Sequence, residues 1–374
     1  MKGKKFAALA FFICMFLLPI LTFALPAKQF SEIENRYLEE FPTLNLQTIM
    51  NRKFMNGFES YIADHFVGRD QWVAVKGYSE YAMGKRENNG IFLCDNALIE
   101  HLEEPNEEYT QQNIQGIRDF AQNTGKTPYL MLIPSASEIQ QDRLPMFAQT
   151  WSQKDYTDSI CSALEGVVTP IDLYGTLTEH KDDYIYYRTD HHWTTYGAYL
   201  AYQQLSNYLP LVSLEPESVD NPVSDSFLGT LYSKAGYRNV QADTMNAYRI
   251  PEGRTVQCSV FTGQETKEYD SPYFAEKLDV KDKYSYFLGE NQPIVTLNSN
   301  AGTGKKLLVF KDSYAHSLAP MLTESYDQIT LVDLRYINGG YSEYIDVSQY
   351  DDVLMMYSVD VFAHQQNPSK LSNP

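Results

Sequence analysis

Cysteine is scarce in this sequence, with four residues in 374. Cys14 lies inside an apolar run, which leaves Cys94, Cys161 and Cys258 as an odd, widely spaced set. Disulfide frameworks need an even number of cysteines at regular spacing, and zinc sites need grouped ligands. The sequence therefore argues against both, and we expect isolated thiols with at most one disulfide.

Positive charge is scarce as well. Lys and Arg number 30 against 48 Asp and Glu, which gives a formal net charge of −18 at pH 7. Such a surface repels the phosphates of nucleic acids, and it disfavours broad binding to anionic lipid head groups. We therefore expect no nucleic-acid partner. Internal repeats and low-complexity tracts are also missing from the sequence.

Aromatic residues, in contrast, are abundant, with 29 Tyr and 19 Phe, and hydrophobic residues make up 43% of the chain. This content is sufficient for one large domain or two modest ones. Two interpretations of the tyrosines stay open. They belong to a Tyr-rich core and surface, or some of them stack on sugar rings.

The N-terminus carries a targeting signal. Lys2, Lys4 and Lys5 precede an uncharged apolar run from Phe6 to Leu25, which is about long enough to cross a bilayer as a helix. The lysines should stay in the cytoplasm, so the remainder of the chain is expected outside it. We predict that residues 1–26 form an uncleaved signal anchor. A cleaved signal peptide is the alternative, although no small-residue cleavage site is clear.

Residues 27–105 are predicted to form a stalk and a helical region that packs on the core. Ala27 to Pro42 is polar and rich in Glu, as expected of a stalk. Apolar residues recur at helical spacing through residues 46–84. A short hairpin is predicted around Asp95-Asn96, between two apolar runs.

Residues 106–374 are predicted to form an α/β domain, because helical and strand patterns alternate along them. Continuous apolar runs are typical of strands buried on both faces of a parallel sheet. The predicted strands lie at residues 129–133, 167–171, 307–310, 328–332 and 353–356. With helices between them, we expect a mostly parallel sheet covered on both faces. The segment at about 210–304 breaks this rhythm and is predicted to be an irregular, partly β insertion over the ligand-bearing edge.

A carboxylate and an imidazole lie two residues apart in Asp190-His191-His192-Trp193. In an extended segment such residues share one face, so Asp190 could fix the tautomer of His192 and stabilise its protonated form. The alternative is a packed or exposed histidine pair without a chemical role.

A candidate nucleophile follows the strand at residues 307–310. Ser313 lies on the turn before a helix, beyond the carboxyl end of that strand, where ligands bind in open α/β sheets. Its backbone N–H can face a developing oxyanion. Asp312-Ser313 could instead merely cap the helix. Together with Asp190 and His192, however, Ser313 supplies the three parts of a nucleophilic triad.

A metal site is the rival interpretation of the same cluster. Asp190, His191 and His192 are all potential ligands, but adjacent residues rarely converge on one ion. No second histidine or carboxylate cluster of clear ligand spacing occurs in the sequence. We therefore predict no metal and no other cofactor.

Asp190-His191-His192-Trp193 resembles the signature of the DHHW family of bacterial exported proteins. That family is similar to the SGNH-like domains of the alginate O-acetyltransferase group, in which an Asp-x-His-Trp segment precedes the nucleophile. The usual SGNH hydrolase order is the inverse. Phe30-Ser31-Glu32-Ile33-Glu34-Asn35-Arg36 and the segment from Tyr61 to Arg69 also resemble this group.

The resemblance implies an SGNH-hydrolase-like, flavodoxin-like three-layer sandwich with permuted motif order. It assigns Ser313 as nucleophile, His192 as general base and Asp190 as the acid that orients His192.

The oxyanion residues do not follow from the resemblance, because Lys-Asp-Ser-Tyr replaces the Gly-Asp-Ser block of ordinary SGNH enzymes. Asn291, in Gly-Glu-Asn before the nucleophile strand, and Ser135, after the strand at 129–133, are candidates. Arg335 follows the strand at 328–332 and could steady an acyl oxygen or a sugar. An ion-paired or surface arginine is the equal alternative.

The predicted function is that of a membrane-anchored, extracytoplasmic serine O-acetyltransferase or acetylesterase acting on a cell-surface or exported polysaccharide. Acetyl-CoA is not available outside the cell, so a membrane-bound acyl transferase is the expected acetyl donor. Two alternatives stay open: a non-catalytic carbohydrate-binding or assembly protein on the same fold, and a metal-dependent hydrolase.

Overall fold

The computed structural model describes residues 4–5, 11–31 and 36–373. Residues 1–3 and 6–10 of the predicted anchor, and residues 32–35 of the N-terminal motif, lie outside the described residues. In the part of the chain that is described, no helix is both long enough and apolar enough to cross a bilayer.

Helices occupy much of the first third of the chain and then alternate with strands. In the described residues the α-helices are α1 (Leu18–Ala24), α2 (Leu46–Met50), α3 (Lys53–His65), α4 (Arg69–Ala82), α5 (Glu107–Thr124), α6 (Ala136–Ile139), α7 (Gln153–Ala163), α8 (Tyr174–Glu179), α9 (Thr195–Leu205), α10 (Thr230–Ala235), α11 (Ala315–Leu322) and α12 (Val359–His364).

The β-strands of the described residues are β1 (Phe30–Ser31), β2 (Arg36–Tyr37), β3 (Glu87–Asn88), β4 (Ile91–Cys94), β5 (Ala97–Glu100), β6 (Tyr129–Ile133), β7 (Thr169–Ile171), β8 (Pro222–Phe227), β9 (Asp243–Asn246), β10 (Val256–Phe261), β11 (Thr266–Tyr269), β12 (Ile294–Ser299), β13 (Lys306–Lys311), β14 (Gln328–Val332) and β15 (Asp352–Ser358).

The chain divides into two compact units. The first comprises Met1–Asn89 and Tyr232–Arg238, and the second comprises Gly90–Leu231 and Asn239–Pro374. The predicted divisions after residues 26 and 105, and the predicted catalytic domain at 106–374, stay predictions.

In the first unit, the helical pattern predicted at residues 46–84 corresponds to α2, α3 and α4. The predicted stalk contains a short antiparallel pair of strands, β1 and β2. Arg36 of β2 forms an ion pair with Asp64 of α3. The two N-terminal motifs that carry the family resemblance are thus joined by a direct charge–charge contact.

The second unit contains one large sheet, with eight strands in the described residues and the order β11-β10-β12-β14-β13-β15-β6-β7. The five strands from β14 to β7 run parallel, and β10, β11 and β12 extend that sheet as antiparallel neighbours. The last strand, β15, is inserted between β6 and β13. The predicted α/β fold with a mostly parallel sheet is confirmed.

Both faces of this sheet are covered, which explains the continuous apolar runs in its strands. Along β13, Leu307 and Val309 pack in one core with α9 and α11. Leu308 and Phe310 pack in a second core with α5, α7 and α12. Side chains alternate between faces along a strand, so a strand between two helical layers must be apolar at every position. The sandwich therefore has three layers, as the family resemblance implies.

The predicted insertion at about 210–304 contributes more to the sheet than its sequence indicates. It contains β8 to β12, and three of these strands join the central sheet. β11 has the sequence Thr-Lys-Glu-Tyr and is exposed throughout, as expected of an edge strand. Its polarity is the reason why hydrophobic pattern alone did not reveal it.

Candidate active site

Four parallel strands of the second unit end at one edge of the sheet and surround a small cavity. The cavity has a volume of about 120 Å³. Its lining includes Ser135 after β6, Ser313 after β13, Arg335 after β14 and Ser358 at the end of β15. The carboxyl ends of parallel strands meet at one edge, so residues far apart in sequence converge there.

Ser313, His192 and Asp190 form a hydrogen-bonded series at this cavity. The Oγ atom of Ser313 lies 2.7 Å from Nε2 of His192. The Nδ1 atom of the same imidazole lies 2.6 Å from Oδ1 of Asp190. The structure thus brings together the three side chains that the sequence proposed as nucleophile, base and orienting acid.

Ser313 does not cap the helix that follows it. Instead, Asp312 accepts a hydrogen bond from the backbone N–H of Tyr314 at 3.0 Å and another from Ser358 at 2.6 Å. Asp312 therefore fixes the turn and links it to the end of β15, which leaves the hydroxyl of Ser313 for His192. Within the described residues, no partner is found for the backbone N–H of Ser313, so this group is available to an oxyanion.

Asp190 is buried, yet its surroundings favour the ionised form. Its Oδ2 accepts hydrogen bonds from the backbone N–H of Thr230 at 2.8 Å and from the hydroxyl of the same residue at 3.0 Å. Burial raises the pKa of Asp190, but the imidazoles of His191 and His192 and these hydrogen bonds outweigh it. The net pKa lies well below the ordinary aspartate value. Asp190 is thus a carboxylate across the physiological range.

His192 is held neutral by its environment. Burial and the adjacent His191 lower the pKa of His192 to about 4, against the opposing effect of Asp190. Tyr284 stacks flat on the imidazole, with ring centroids 3.9 Å apart and an interplanar angle of 6°. A neutral imidazole whose Nδ1–H points to Asp190 presents a lone pair on Nε2 to Ser313, as a general base requires.

Hydrogen bonds of Trp193 and Tyr314 connect the Asp190–His192 segment to the turn that carries Ser313. The Nε1–H of Trp193 donates to the backbone oxygen of Tyr314 at 3.1 Å and lies 3.0 Å from Oγ of Ser317. In the opposite direction, the hydroxyl of Tyr314 donates to the backbone oxygen of His191. These bonds explain why a tryptophan follows the two histidines, and they hold His192 within reach of Ser313.

Asp243 on β9 holds the backbone that precedes Asp190. Its carboxylate accepts from the N–H groups of Arg188 at 2.8 Å and Thr189 at 2.9 Å, and from the hydroxyls of Thr189 and Tyr184. Asp243 is fully buried. One buried carboxylate from the insertion therefore fixes the conformation of the segment that carries the base.

Arg335 reaches the cavity from a buried charge network. Its Nε and Nη2 donate to the two carboxylate oxygens of Asp333, at 2.9 and 2.7 Å. Lys311, with no exposed side-chain surface, places Nζ 3.0 Å from the same carboxylate and 2.8 Å from Nε2 of His316. Burial and Lys311 hold the pKa of His316 well below its ordinary value, so its neutral ring accepts from the lysine.

Lys311 and Arg335 therefore share the carboxylate of Asp333, and Asp312 lies close enough to interact electrostatically with both. Arg335 is both the ion-paired arginine and the cavity-lining arginine that the sequence left as alternatives.

The two other oxyanion candidates differ in position. Ser135 lines the cavity, but its backbone N–H donates to Oε1 of Gln153 at 3.0 Å and its hydroxyl accepts from Nε2 of the same residue. Asn291 is not among the lining residues in the described part of the chain, and its Oδ1 lies 3.4 Å from Nη2 of Arg335. Their proposed role in oxyanion binding stays a prediction.

The donor atoms of Asp190, His191 and His192 lie within 4.8 Å of one another, a spacing that would permit a shared metal ion. However, both imidazole nitrogens of His192 are already hydrogen-bonded, to Ser313 and Asp190. Nδ1 of His191 lies 2.9 Å from the hydroxyl of Thr230. Hydrogen bonding therefore occupies most of the atoms that a metal would need, and the arrangement fits proton transfer better.

Sequence reasoning missed several residues of the site. They are Thr230, Asp243, Tyr284, Lys311, His316 and Asp333. Lys311 alone offered a clue, because it ends an otherwise apolar strand where a lysine must find a buried partner.

The comparisons with known proteins concern the family and the fold. The family described as DHHW protein matches residues 106–332. The chain is similar to a crystal structure of a DHHW family protein from Eubacterium siraeum, with 24% identity, a TM-score of 0.64, and coverage of 77% of this chain and 96% of that one. It is also similar to Bacillus cereus PatB1 with a sulfonyl adduct, with 19% identity, a TM-score of 0.60, and coverage of 74% and 97%. These two likenesses establish the shared fold.

Among curated proteins, the chain is 23% identical over 206 residues to a probable alginate O-acetylase, AlgJ of Azotobacter vinelandii. The match covers 50% of this chain and 51% of that protein. The AlgJ of Pseudomonas syringae pathovar tomato matches over 46% of its length. The chain thus spans about half the length of the curated relatives it matches.

Proposed function

Since the chain belongs to the DHHW family, we propose that it is a serine-dependent enzyme that transfers an acetyl group to a polysaccharide or removes one from it. One observation carries the proposal. The hydroxyl of Ser313, the imidazole of His192 and the carboxylate of Asp190 are linked in that order by hydrogen bonds of 2.7 and 2.6 Å. The O-acetylase activity in the names of the AlgJ relatives gives the direction of the chemistry.

In the proposed reaction, the Oγ of Ser313 attacks the carbonyl carbon of an acetyl ester while Nε2 of His192 takes the hydroxyl proton. Asp190 accepts a hydrogen bond from the Nδ1–H of His192 and stabilises the imidazolium that forms. The backbone N–H of Ser313 would donate a hydrogen bond to the tetrahedral oxyanion, and the guanidinium of Arg335, which lines the cavity, would stabilise the oxyanion at longer range. His192 then protonates the leaving alcohol, which leaves an acetyl group on Ser313.

The second half of the reaction repeats the first with a new nucleophile. His192 takes a proton from a sugar hydroxyl or from water, and that oxygen attacks the acetyl-serine. The bond between the acetyl carbon and Oγ of Ser313 then breaks, and His192 returns the proton to Oγ. Transfer requires that the acceptor exclude water from the cavity. A cavity of about 120 Å³ has room for an acetyl group but not for a sugar ring as well. The acceptor is therefore expected to cover the cavity from outside.

An activated acetyl ester tests this proposal directly. With p-nitrophenyl acetate, the protein is expected to turn over, and Ser313→Ala should lower kcat/KM by at least about 10³-fold, as loss of a triad nucleophile does. Ser206→Ala provides the control, because Ser206 is an exposed serine after α9. Equal turnover in Ser313→Ala and in the control would reject the assignment.

We further propose that residues 1–26 anchor the chain in the cell membrane, with the catalytic part outside the cytoplasm. Lys2, Lys4 and Lys5 before the apolar run support this orientation. A membrane-bound acyl transferase would then supply the acetyl group. Protease treatment of intact cells gives the test: digestion of the catalytic part without lysis is expected, and protection until lysis would contradict the location.

A non-catalytic carbohydrate-binding protein is the second candidate. It is favoured by one observation: the backbone N–H of Ser135 is already bonded to Gln153, and Asn291 is not among the described residues that line the cavity. This candidate predicts glycan binding without any covalent modification of Ser313. Reaction with a fluorophosphonate separates the two candidates, because only an activated serine forms the adduct.

A further inference from the structure

A second, larger cleft of the second unit is lined in part by residues that flank the segment carrying Asp190 and His192. It has a volume of about 350 Å³, within the range of small-molecule sites. Its lining includes Tyr184, Thr194 and Tyr196, which flank the Asp-His-His-Trp motif in sequence. Asp190 and His191 of the same segment line the nucleophile's cavity. Residues 184–196 thus contribute to both concavities.

Two tyrosine rings in this cleft are held in place before any ligand arrives. Tyr184 donates its hydroxyl to the buried Asp243, and the guanidinium of Arg188 lies 4.4 Å from its ring centroid. Tyr196, in the first turn of α9, packs against Tyr199 with ring centroids 6.1 Å apart. Fixed aromatic rings bury apolar surface at low entropic cost, which is why they serve as binding platforms.

Polar groups surround these rings. Asn246 has a buried Oδ1 without a hydrogen-bond partner among the described residues. Thr244 adds an exposed, hydroxyl-bearing side chain to the lining. Glu217 and Asp220 add two exposed carboxylates, and the described lining contains no Lys or Arg.

We propose that this cleft is a second saccharide-binding site, which holds a neutral or amino-bearing sugar unit of the acceptor glycan. The combination of ring faces and hydrogen-bonding side chains suits a sugar, whose faces are apolar and whose edges carry hydroxyls. Two carboxylates, in a lining whose described residues include no Lys or Arg, disfavour a uronate and favour an uncharged or cationic sugar. The part of this inference that names the ligand as an acceptor rests on the proposed function.

Calorimetric titration of the whole protein tests the site. The probes are the hexasaccharides of cellulose, mannan, chitin and chitosan, with an oligouronate of equal length as the anionic comparison. At least one neutral or amino-bearing probe is expected to bind more tightly than the oligouronate. Tyr196→Ala should weaken that binding about tenfold, whereas Tyr196→Phe, which keeps the ring, should stay close to the unmodified protein.

Tyr208→Ala is the matched control, because Tyr208 is a partly exposed tyrosine just beyond the same helix and outside the cleft. The inference is overturned if no neutral or amino-bearing probe binds, if Tyr196→Ala binds as well as Tyr208→Ala, or if the oligouronate binds at least as tightly.

Failure here is distinguishable from failure of the proposed function. Turnover of p-nitrophenyl acetate does not need a sugar, so Tyr196→Ala is expected to keep it. Glycan binding that depends on Tyr196, without Ser313-dependent turnover, would support the cleft and reject the enzyme. Ser313-dependent turnover without Tyr196-dependent glycan binding would support the enzyme and reject the cleft as a saccharide site.

Discussion

The protonation of His192 decides the pH range in which the site can work. Its pKa is lowered to about 4, first by burial and then by His191. A general base acts in its neutral form, so kcat/KM for p-nitrophenyl acetate is expected to rise with pH through about 4 and to stay level towards neutrality.

His191→Gln should shift this acidic limb to higher pH. The substitution removes a neighbouring positive charge that disfavours protonation of His192, so the pKa of His192 rises. The position of the limb in a pH–rate profile is the measurement. His180→Gln serves as the control, because His180 pairs with Asp183 on the surface. A limb that moves to lower pH in His191→Gln would contradict this electrostatic account.

Asp333 is the residue whose loss should cost the most folding stability at this site. Asp333→Ala leaves Lys311 and Arg335 without their shared carboxylate, and Lys311 is fully buried. Removing one partner of a buried pair typically costs about 3–5 kcal/mol. Asp158→Ala breaks the exposed Lys154–Asp158 pair and should cost less than about 1 kcal/mol. Urea denaturation compares the two, and equal losses would show that the buried network contributes little.

At the scale of single elements, the turn before α10 sets the position of the orienting acid. A Cβ on Gly229 would lie 2.3 Å from both Cβ and Oδ2 of Asp190, so the two residues cannot keep their positions. Gly229→Ala is therefore expected to displace Asp190 and to lower kcat on p-nitrophenyl acetate at least about tenfold, with a smaller effect on KM.

Gly175→Ala is the matched control for that substitution. A Cβ on Gly175, within α8, meets no atom within 4 Å, and alanine is favoured over glycine inside a helix. It should leave kcat unchanged and raise the stability slightly. If Gly229→Ala keeps full activity, the close approach to Asp190 is not what places the carboxylate.

Strands that are buried on both faces could be predicted from the sequence, whereas partly exposed strands could not. β6, β13, β14 and β15 are covered on both faces, so their continuous apolar runs predicted them directly. β10 alternates buried and partly exposed residues, and β11 is exposed. Strands of this kind leave short mixed patterns, so the antiparallel extension of the sheet could not be predicted from periodicity.

The same distinction applies to the site. Ser313, His192 and Asp190 could be predicted because a motif and a strand–turn–helix pattern mark them. Tyr284, Asp243 and Asp333 could not, since each acts through a contact with a residue more than 20 positions away. Such contacts are set by the fold as a whole and leave no local pattern.

At the scale of the whole molecule, the net charge of −18 should affect which glycans reach the site. Long-range repulsion lowers the association rate of an anionic polymer, and salt screens it. Acetyl transfer to an oligouronate, or acetyl removal from one, should therefore become faster as ionic strength rises from low to physiological values, whereas the reaction of a neutral oligosaccharide should respond little. Initial rates at varied salt give the measurement. A decline with salt for the uronate would indicate a local cationic binding path.

The most direct test of the central claim is to locate a covalent adduct on the chain. After reaction with a fluorophosphonate, peptide mass spectrometry is expected to find the label on Ser313, and His192→Ala should abolish it. A label on another serine, or equal labelling of Ser313 without His192, would contradict the account of a serine activated by this imidazole.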